Sequence, residues 1–351
     1  MPHAVLLLGV SHRAAYDAYP LERIAAVHPV VLVDPSPPVW ARPYLAGHIA
    51  ADPGLDAATA EAIARYALRH GVSGVLTWTR QYLPAAAHIA ARLGLPGIPY
   101  ETAAACADPT ASQVLLARHG IAPAGREDTE APLVRAETVV LDDEVRIAAL
   151  TRTAPGPPPA RQPLRHSVHA HDGLLHNRFL RQTVERTVRA LGLTHTVAHI
   201  GLRLTARGPR VTDVLPHLPG DLIPLLVERA TGVDLARAAA ALAVGRLPDV
   251  TPTRQRAASI QFAYPATTGR LTHLDMDPAA AYEPSAERMV LTRQPGDHVT
   301  AAAHADPEDR LAHWVAEGET PADCAHTLRR MARHLTVAVT PPAPPARPFA
   351  A

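Results

Sequence analysis

Short, unbroken apolar runs separated by segments of helical spacing constrain the first hundred residues more than any other feature of the chain. Residues 4–9 (AVLLLG), 30–34 (VVLVD) and 71–78 (GVSGVLTW) are too short for helices and read as buried strands. Between the first two, SHRAAYDAYPLERIAAVH has helical apolar spacing, with Pro20 expected to shift the helix start. A second helix is expected over Asp56 to His70 with Asp56 as N-cap, and a third over Gln81 to Leu93, closed by Gly94. Strands alternating with helices predict a small parallel α/β domain over residues 1–100, with a ligand cleft at the carboxyl ends of its strands. Gly9 opens the first strand-to-helix turn, but no second or third glycine follows in GVSHRAAYD. That excludes a dinucleotide-binding fingerprint.

Further along, Glu137 to Arg152 (ETVVLDDEVRIAALTR) reads as a hairpin turning at Asp142-Asp143. Residues 153–163 form a proline-rich loop. Asn177 to Leu191 has helical spacing and stops at Gly192, and two strands are expected over Thr194 to Thr205 and Gly208 to Leu215. A buried helix is predicted from Asp221 to Ala230 and another from Val233 to Val244. Ser259 to Tyr264 and Arg270 to Leu274 read as strands joined by a turn at Gly269. Glu319 to Leu335 reads as an amphipathic helix with Thr320 as N-cap and Pro321 in its first turn. The proline-rich end, residues 341–351, is predicted to be a disordered tail.

Charge narrows the function classes. With 34 basic and 33 acidic residues the net charge is +1, so there is no electrostatic footprint for nucleic acid or a membrane surface. No apolar run approaches the ~18 residues of a spanning helix, and Met1 to Val10 lacks the basic start of a signal peptide. Two distant cysteines, Cys106 and Cys324, suggest free thiols in a reducing cytoplasm, with Cys324 in the core and not a nucleophile. All 34 basic residues are arginine; there is no lysine. A GC-rich codon bias accounts for this as it does for the abundant Ala and Pro. Whatever its origin, Schiff-base chemistry and a compact ammonium on a phosphate are closed to the chain.

Several motifs carry a family resemblance. Residues 74–97 (GVLTWTRQYLPAAAHIAARLGLPG) are followed by Glu101-Thr102-Ala103-Ala104, and Thr212 to Leu235 reads TDVLPHLPGDLIPLLVERATGVDL. These stretches resemble the ATP-grasp carboxylate–amine ligases, in which the second is the metal-and-phosphate strand and its following helix. The resemblance spans about residues 4–339. It implies an N-terminal parallel α/β (pre-ATP-grasp) domain over 1–100, an ATP-grasp core over 101–250 and an α+β C-terminal domain over 251–340. It also implies an activity in which ATP phosphorylates a carboxylate and an amine displaces the phosphate.

Against that frame the chemical residues are altered. Where relatives read Glu-x-Asn-x-Arg, this chain has Asp213, Leu215 and His217; where they read His-x-Glu, it has His199-Ile200-Gly201; where they read Asp-Lys, it has Asp108-Pro109. Residues 121–136 show no strand pattern, whereas a nucleotide lid of four strands needs upward of ~40 residues. The core is therefore expected to be truncated, without its β-lid. One remaining Asp is a marginal magnesium site, since the ion wants near-octahedral oxygen coordination.

The candidate catalytic residues are His217, as general acid or base, and Asp213, as its orienting partner and marginal metal ligand. His199, Gly220, Asp221 and Glu137 are the candidate pocket. His166, His169, His171 and His176, with Asp172, invite a metal hypothesis, although twenty histidines spread along the chain argue for solvated or hydrogen-bonding roles. The expectation is a degenerate ATP-grasp protein acting as a binding or accessory subunit. It would have no assigned cofactor, and either an active ligase or a second copy as partner, and a small carboxylate or amino acid is a candidate ligand. The alternative is an active ligase using ATP and Mg, or an enzyme reusing the pocket.

Overall fold

β1 (Ala4–Leu8) buries Val5 through Leu8 completely, which is why its run is uninterrupted. A strand covered on both faces has no exposed side to mark with polar residues. It is followed by α1 (Ala14–Ala25), β2 (Val30–Val33), β3 (Leu45–Ile49), α2 (Ala57–Arg69), β4 (Val72–Leu76) and α3 (Leu83–Leu93). The four strands form a parallel sheet in the order β3-β2-β1-β4. This computed structural model describes residues 3–54, 56–142 and 144–342, so most of the expected tail lies outside the described residues.

Two expectations for this region change. Pro20 sits inside α1 and not at its start. β3 was not anticipated: LAGHI is a half-exposed edge strand with only alternate apolar residues, reached through a short 3₁₀ turn containing Pro43 and not through an α-helix. The caps follow the sequence. Asp56 accepts from the Thr59 N–H at 2.7 Å, and Gly94 closes α3 in the left-handed region at φ 63°. Leu6, Leu8, Ile63 and Ile89 are among the residues that bind sheet and helices into one core.

Strand order reverses between β1 and β4, so the crevice of this sheet lies at their carboxyl ends. Gly9, at φ 69°, occupies that place, and a Cβ there would overlap the Tyr82 ring. The glycine accommodates an aromatic ring, not a phosphate.

The chain continues through α4 (Tyr100–Ala107) and α5 (Pro109–Arg118), the latter capped by Asp108. Residues 119–132 then hold a single 3₁₀ turn and an isolated bridge from Pro123 to Val211. Among the described residues no multi-stranded insert occurs here. β5 (Leu133–Leu141) starts four residues before the expected hairpin and returns as β6 (Glu144–Pro155). β7 (Pro163–His169), α6 (Arg178–Ala190), β8 (Thr196–Thr205), β9 (Gly208–Leu215), α7 (Ile223–Thr231) and α8 (Leu235–Ala243) follow. α7 begins at Ile223, not Asp221, because Asp221 and Leu222 are both left-handed, at φ 57° and 58°.

Contacts divide the chain into two units: residues up to Arg152 with Val168–Arg256, and Thr153–Ser167 with the chain from Ala257. In the first unit β6-β5-β8-β9 form an antiparallel ladder. One face carries Val134, Ala136, Ile200 and Val214 against Leu180, Val184 and Val188 of α6. The period of two along each strand sends the intervening residues, Arg135, Glu137, His199, Gly201 and Asp213, to the opposite face.

The second unit adds β10 (Ala257–Ala263), β11 (Gly269–Met276), β12 (Ala286–Leu291), β13 (His298–Val299), β14 (Ala312–Gly318), α9 (Pro321–Ala332) and β15 (Leu335–Thr340). β10 and β11 are not a hairpin. β10 pairs with β14, while β11 pairs with β13 and β15 in another sheet. Gly269 is there because β15 passes close: a Cβ would overlap the Thr340 carbonyl. Thr320 and Asp323 form the capping box of α9, and Trp314 Nε1–H donates to the Leu328 carbonyl at 3.0 Å. No helix among the described residues is long and apolar enough to cross a membrane.

Candidate functional site

The polar face of the β6-β5-β8-β9 ladder brings together most of the residues singled out in the sequence. Glu137 on β5 lies directly opposite His199 on β8, and its carboxylate is fully buried (0% exposed). Its Oε2 accepts from His199 Nδ1–H at 2.7 Å, and Oε1 accepts from the Thr151 hydroxyl on β6, also at 2.7 Å. His199 itself is 4% exposed. A carboxylate in such a place persists only with donors on its oxygens, and each oxygen here has one.

Asp213 belongs to a second set. Its Oδ2 accepts from Arg135 Nη1–H at 2.9 Å and its Oδ1 from the Thr212 hydroxyl at 2.6 Å. The register explains how this pair forms. Arg135 is opposite Gly201, and Gly201 is opposite Asp213, so the guanidinium reaches its carboxylate across a residue with no side chain. A bulge next to Gly201 pairs Leu202 with Val211 and leaves Thr212 without a ladder partner, turning its hydroxyl onto Asp213. A Cβ at Gly201 would overlap both Thr212 Oγ1 and Asp213 Oδ1. Burial alone would push the Asp213 carboxyl up. Arg135, the Thr212 hydroxyl and nearby His199 outweigh it and hold the group below the usual carboxylate range.

These residues do not fit a magnesium ion bridging nucleotide phosphates. Both Asp213 oxygens are taken by donors of this chain, the space at Gly201 is filled, and Leu215 offers no oxygen. Among the described residues no group of three or more His, Cys, Asp or Glu is placed to hold a metal.

His217 is not partnered by Asp213, contrary to the sequence-based expectation. Its Nδ1–H donates to the Leu218 carbonyl at 2.7 Å, because Pro216-His217-Leu218 turns away from the ladder after β9 ends at Leu215. Nε2 is buried without a hydrogen-bond partner. Burial pushes the pKa down to about 4, helped by His199 and Arg80 and opposed by the Leu218 bond. Burial thus favours the neutral imidazole, with its Nε2 lone pair unpaired.

Gly220 is exposed and faces open space, and Asp221 follows it on the turn into α7. The histidine-rich stretch also disperses. His166 is buried between the Thr153 hydroxyl (3.0 Å) and the edge of Phe262, while His169 and His171 meet edge to face at 5.7 Å. Asp172 receives two bonds from Arg152, at 2.6 and 2.9 Å. Both cysteines are free and buried, and burial pushes each thiol up to about 11. Arg135 and Thr151 were missed in the sequence. Arg135 lies two residues from Glu137, and Thr151 alternates with core-facing Leu150; that period of two was the signal that could have placed them on this face.

Comparison with known proteins adds the following. Residues 261–340 match the family described as L-amino acid ligase C-terminal domain 2. Over 158 residues the chain is 28% identical to the uncharacterized protein y4rH of Sinorhizobium fredii, covering 45% of this chain and 33% of that one. The chain thus matches about a third of that relative's length. Among solved structures it is similar to the L-amino acid ligase of Bacillus licheniformis, with a TM-score of 0.80 at 15% identity, covering 96% of this chain and 99% of that one. Phosphoribosylglycinamide synthetase of Anaerococcus prevotii gives 0.77 at 13% identity, covering 96% and 100%. The biotin carboxylase of Campylobacter jejuni gives 0.64 at 11%, covering 97% and 92%.

Proposed function

The chain has an ATP-grasp fold and carries an L-amino acid ligase C-terminal domain, and from that premise we propose that it is a member that no longer makes acyl-phosphates. Its role in this reading is that of a binding or accessory subunit in the cytoplasm, in amino-acid-derived or secondary metabolism. The partner would be an active ligase or a second copy, and a small carboxylate or amino acid is its ligand class. The observation that carries the proposal is the Arg135–Asp213 pair made across Gly201. It commits to an internal salt bridge the one carboxylate left where magnesium and phosphate would be held. Phosphoryl transfer is mostly positioning and electrostatic stabilisation, so a site with neither free metal ligands nor a lysine has little to catalyse with.

Calorimetry of the full chain with ATP and magnesium tests the loss of nucleotide chemistry. The expected result is no saturable heat, and a saturable isotherm sinks the proposal. Native co-purification tests the accessory role; recovery of a bare monomer would count against it. A second reading, an active carboxylate–amine ligase using ATP and Mg or an enzyme reusing the pocket, is favoured by the match to the L-amino acid ligase domain. It requires the saturable isotherm that the first reading excludes, or turnover of an amino-acid substrate.

A further inference from the structure

β6 is twelve residues long, and only part of it has a strand on each side. On one side β5 pairs with its residues 144–152. On the other lies β7, seven residues long, reached through a hairpin in which the Gly156 N–H donates to the Gln162 carbonyl at 2.7 Å. Counting back along that antiparallel pair, β7 runs out at His169 and leaves Glu144 to Ala148 as an open edge. A strand turns its N–H and C=O groups alternately to its two sides, so about half of these residues direct theirs away from β5. Beside them is a groove of about 590 Å³, lined entirely by residues of the first unit. The edge forms one wall; the others carry His171, His176, Arg181 and Glu185, and the segment 250–255.

The charges around this groove are unevenly committed. Arg146 is held by Glu144 at 2.7 Å on the same strand, and Glu185 leans to Arg189 at 3.6 Å, one turn along α6. That leaves the Arg181 guanidinium with no ion pair or hydrogen bond among the described residues. Arg254 has only a 4.0 Å approach to Glu228, whose carboxylate Arg229 already holds. We propose that this edge is a docking site for an extended, acidic segment of a partner protein, which pairs with residues 144–148 as an added strand and sets its carboxylates on Arg181 and Arg254. Five residues of strand cover roughly 17 Å and project side chains to both faces. Carboxylates at different positions can therefore meet the two arginines, and no single group has to span them. A basic segment is disfavoured, because both glutamates of the groove already have arginine partners. The edge offers a surface for the partner of the accessory reading above, but it does not rest on the loss of ATP chemistry, since an active ligase could use it equally.

The test is an NMR titration of the full-length, deuterated, ¹⁵N-labelled protein with the peptide acetyl-Glu-Val-Glu-Val-Glu-Val-amide, and with the same peptide carrying Lys for Glu. The acidic peptide should move the amides of 144–148 and 250–255 saturably in the millimolar range, because a short flexible chain gives up its freedom on docking. The Lys peptide should bind at least about tenfold more weakly. Arg181→Gln and Arg254→Gln, both at exposed positions, should each weaken the acidic peptide about two- to fivefold, the worth of an exposed ion pair. Two further peptides separate strand pairing from adsorption by charge, one N-methylated at its Glu residues and the other at its Val residues. Only every second N–H can face the edge, so one of the two should lose binding and the other keep it. Four outcomes overturn the proposal: no saturable shift up to about 10 mM, well beyond the affinity expected; equal binding of the Lys peptide; equal binding of the two N-methylated peptides; or shifts at 144–148 that depend on protein concentration without peptide, which would make a second copy the occupant.

Discussion

His217 makes stability depend on pH in a window that can be calculated. Its ring is buried in the fold, and burial lowers its pKa from the ordinary 6.5 to about 4. In the unfolded chain the group returns to about 6.5. Between those values the unfolded state takes up a proton that the folded state refuses, so stability rises with pH there. The contribution is fully present above about pH 6.5 and lost as pH falls toward 4. The gap between about 6.5 and about 4, at 1.36 kcal/mol per pH unit, is about 3 kcal/mol, and most of it is gone by roughly pH 4.5. The perturbation is His217→Gln, whose amide keeps a donor for the Leu218 carbonyl and does not titrate. Urea unfolding of both proteins from pH 7 to pH 4.5 is the assay, and every other titrating group is common to the two. Wild type should lose about 2–3 kcal/mol more than the variant across the range. Parallel stability curves would refute the reasoning, because they would mean the imidazole is as easily protonated folded as unfolded.

Glu137→Ala should cost about 3–5 kcal/mol in thermal or urea unfolding, since it leaves His199 and the Thr151 hydroxyl without their acceptor in a dry site. A loss under 1 kcal/mol would mean that water reaches the gap. Gly201→Ala should cost about 1–3 kcal/mol, because its Cβ has to displace Thr212 and Asp213. In an Asp213→Ala background, where the carboxylate is gone, the same change should cost measurably less, and strict additivity in that double-mutant cycle would contradict the crowding.

What the sequence made legible was local. The runs at 4–9, 30–34 and 71–78, the Asp56 and Thr320 caps and the Gly94 stop each carry their signal within a few residues, and each is found where expected. β3 was missed because its five residues, LAGHI, form no continuous apolar run and are interrupted by Gly47 and His48. The partners of β10 and β11 were misjudged because nearness in sequence does not fix pairing: their true neighbours, β14 and β15, lie much further along the chain. The candidate site divides the same way. Glu137, His199 and Asp213 were named as candidate site residues, whereas Arg135 is 78 residues from Asp213 and sits in no motif. His217 lacks the expected Asp213 partner for a geometric reason. β9 ends at Leu215, so the alternation that would have kept residue 217 beside Asp213 no longer applies.

The altered residues of the polar face are coupled to one another. The resemblance to ATP-grasp ligases suggests a carboxylate at 201, yet with Glu there Arg135 could not lie across β8 to Asp213. With Gly at 201 the guanidinium closes over the gap, and Thr212, turned in by the bulge, completes the capture of Asp213. Each feature therefore supports the others: the glycine admits the arginine, the arginine neutralises the aspartate, and the neutralised aspartate fills the space above the glycine. A partly buried ion pair adds little net stability, but removing one partner leaves the other charge uncompensated. Restoring a single ligand residue would then destabilise the fold before it created a metal site. The face is self-consistent without a metal, and this mutual dependence, more than the absence of any one residue, supports reading the chain as a binding scaffold.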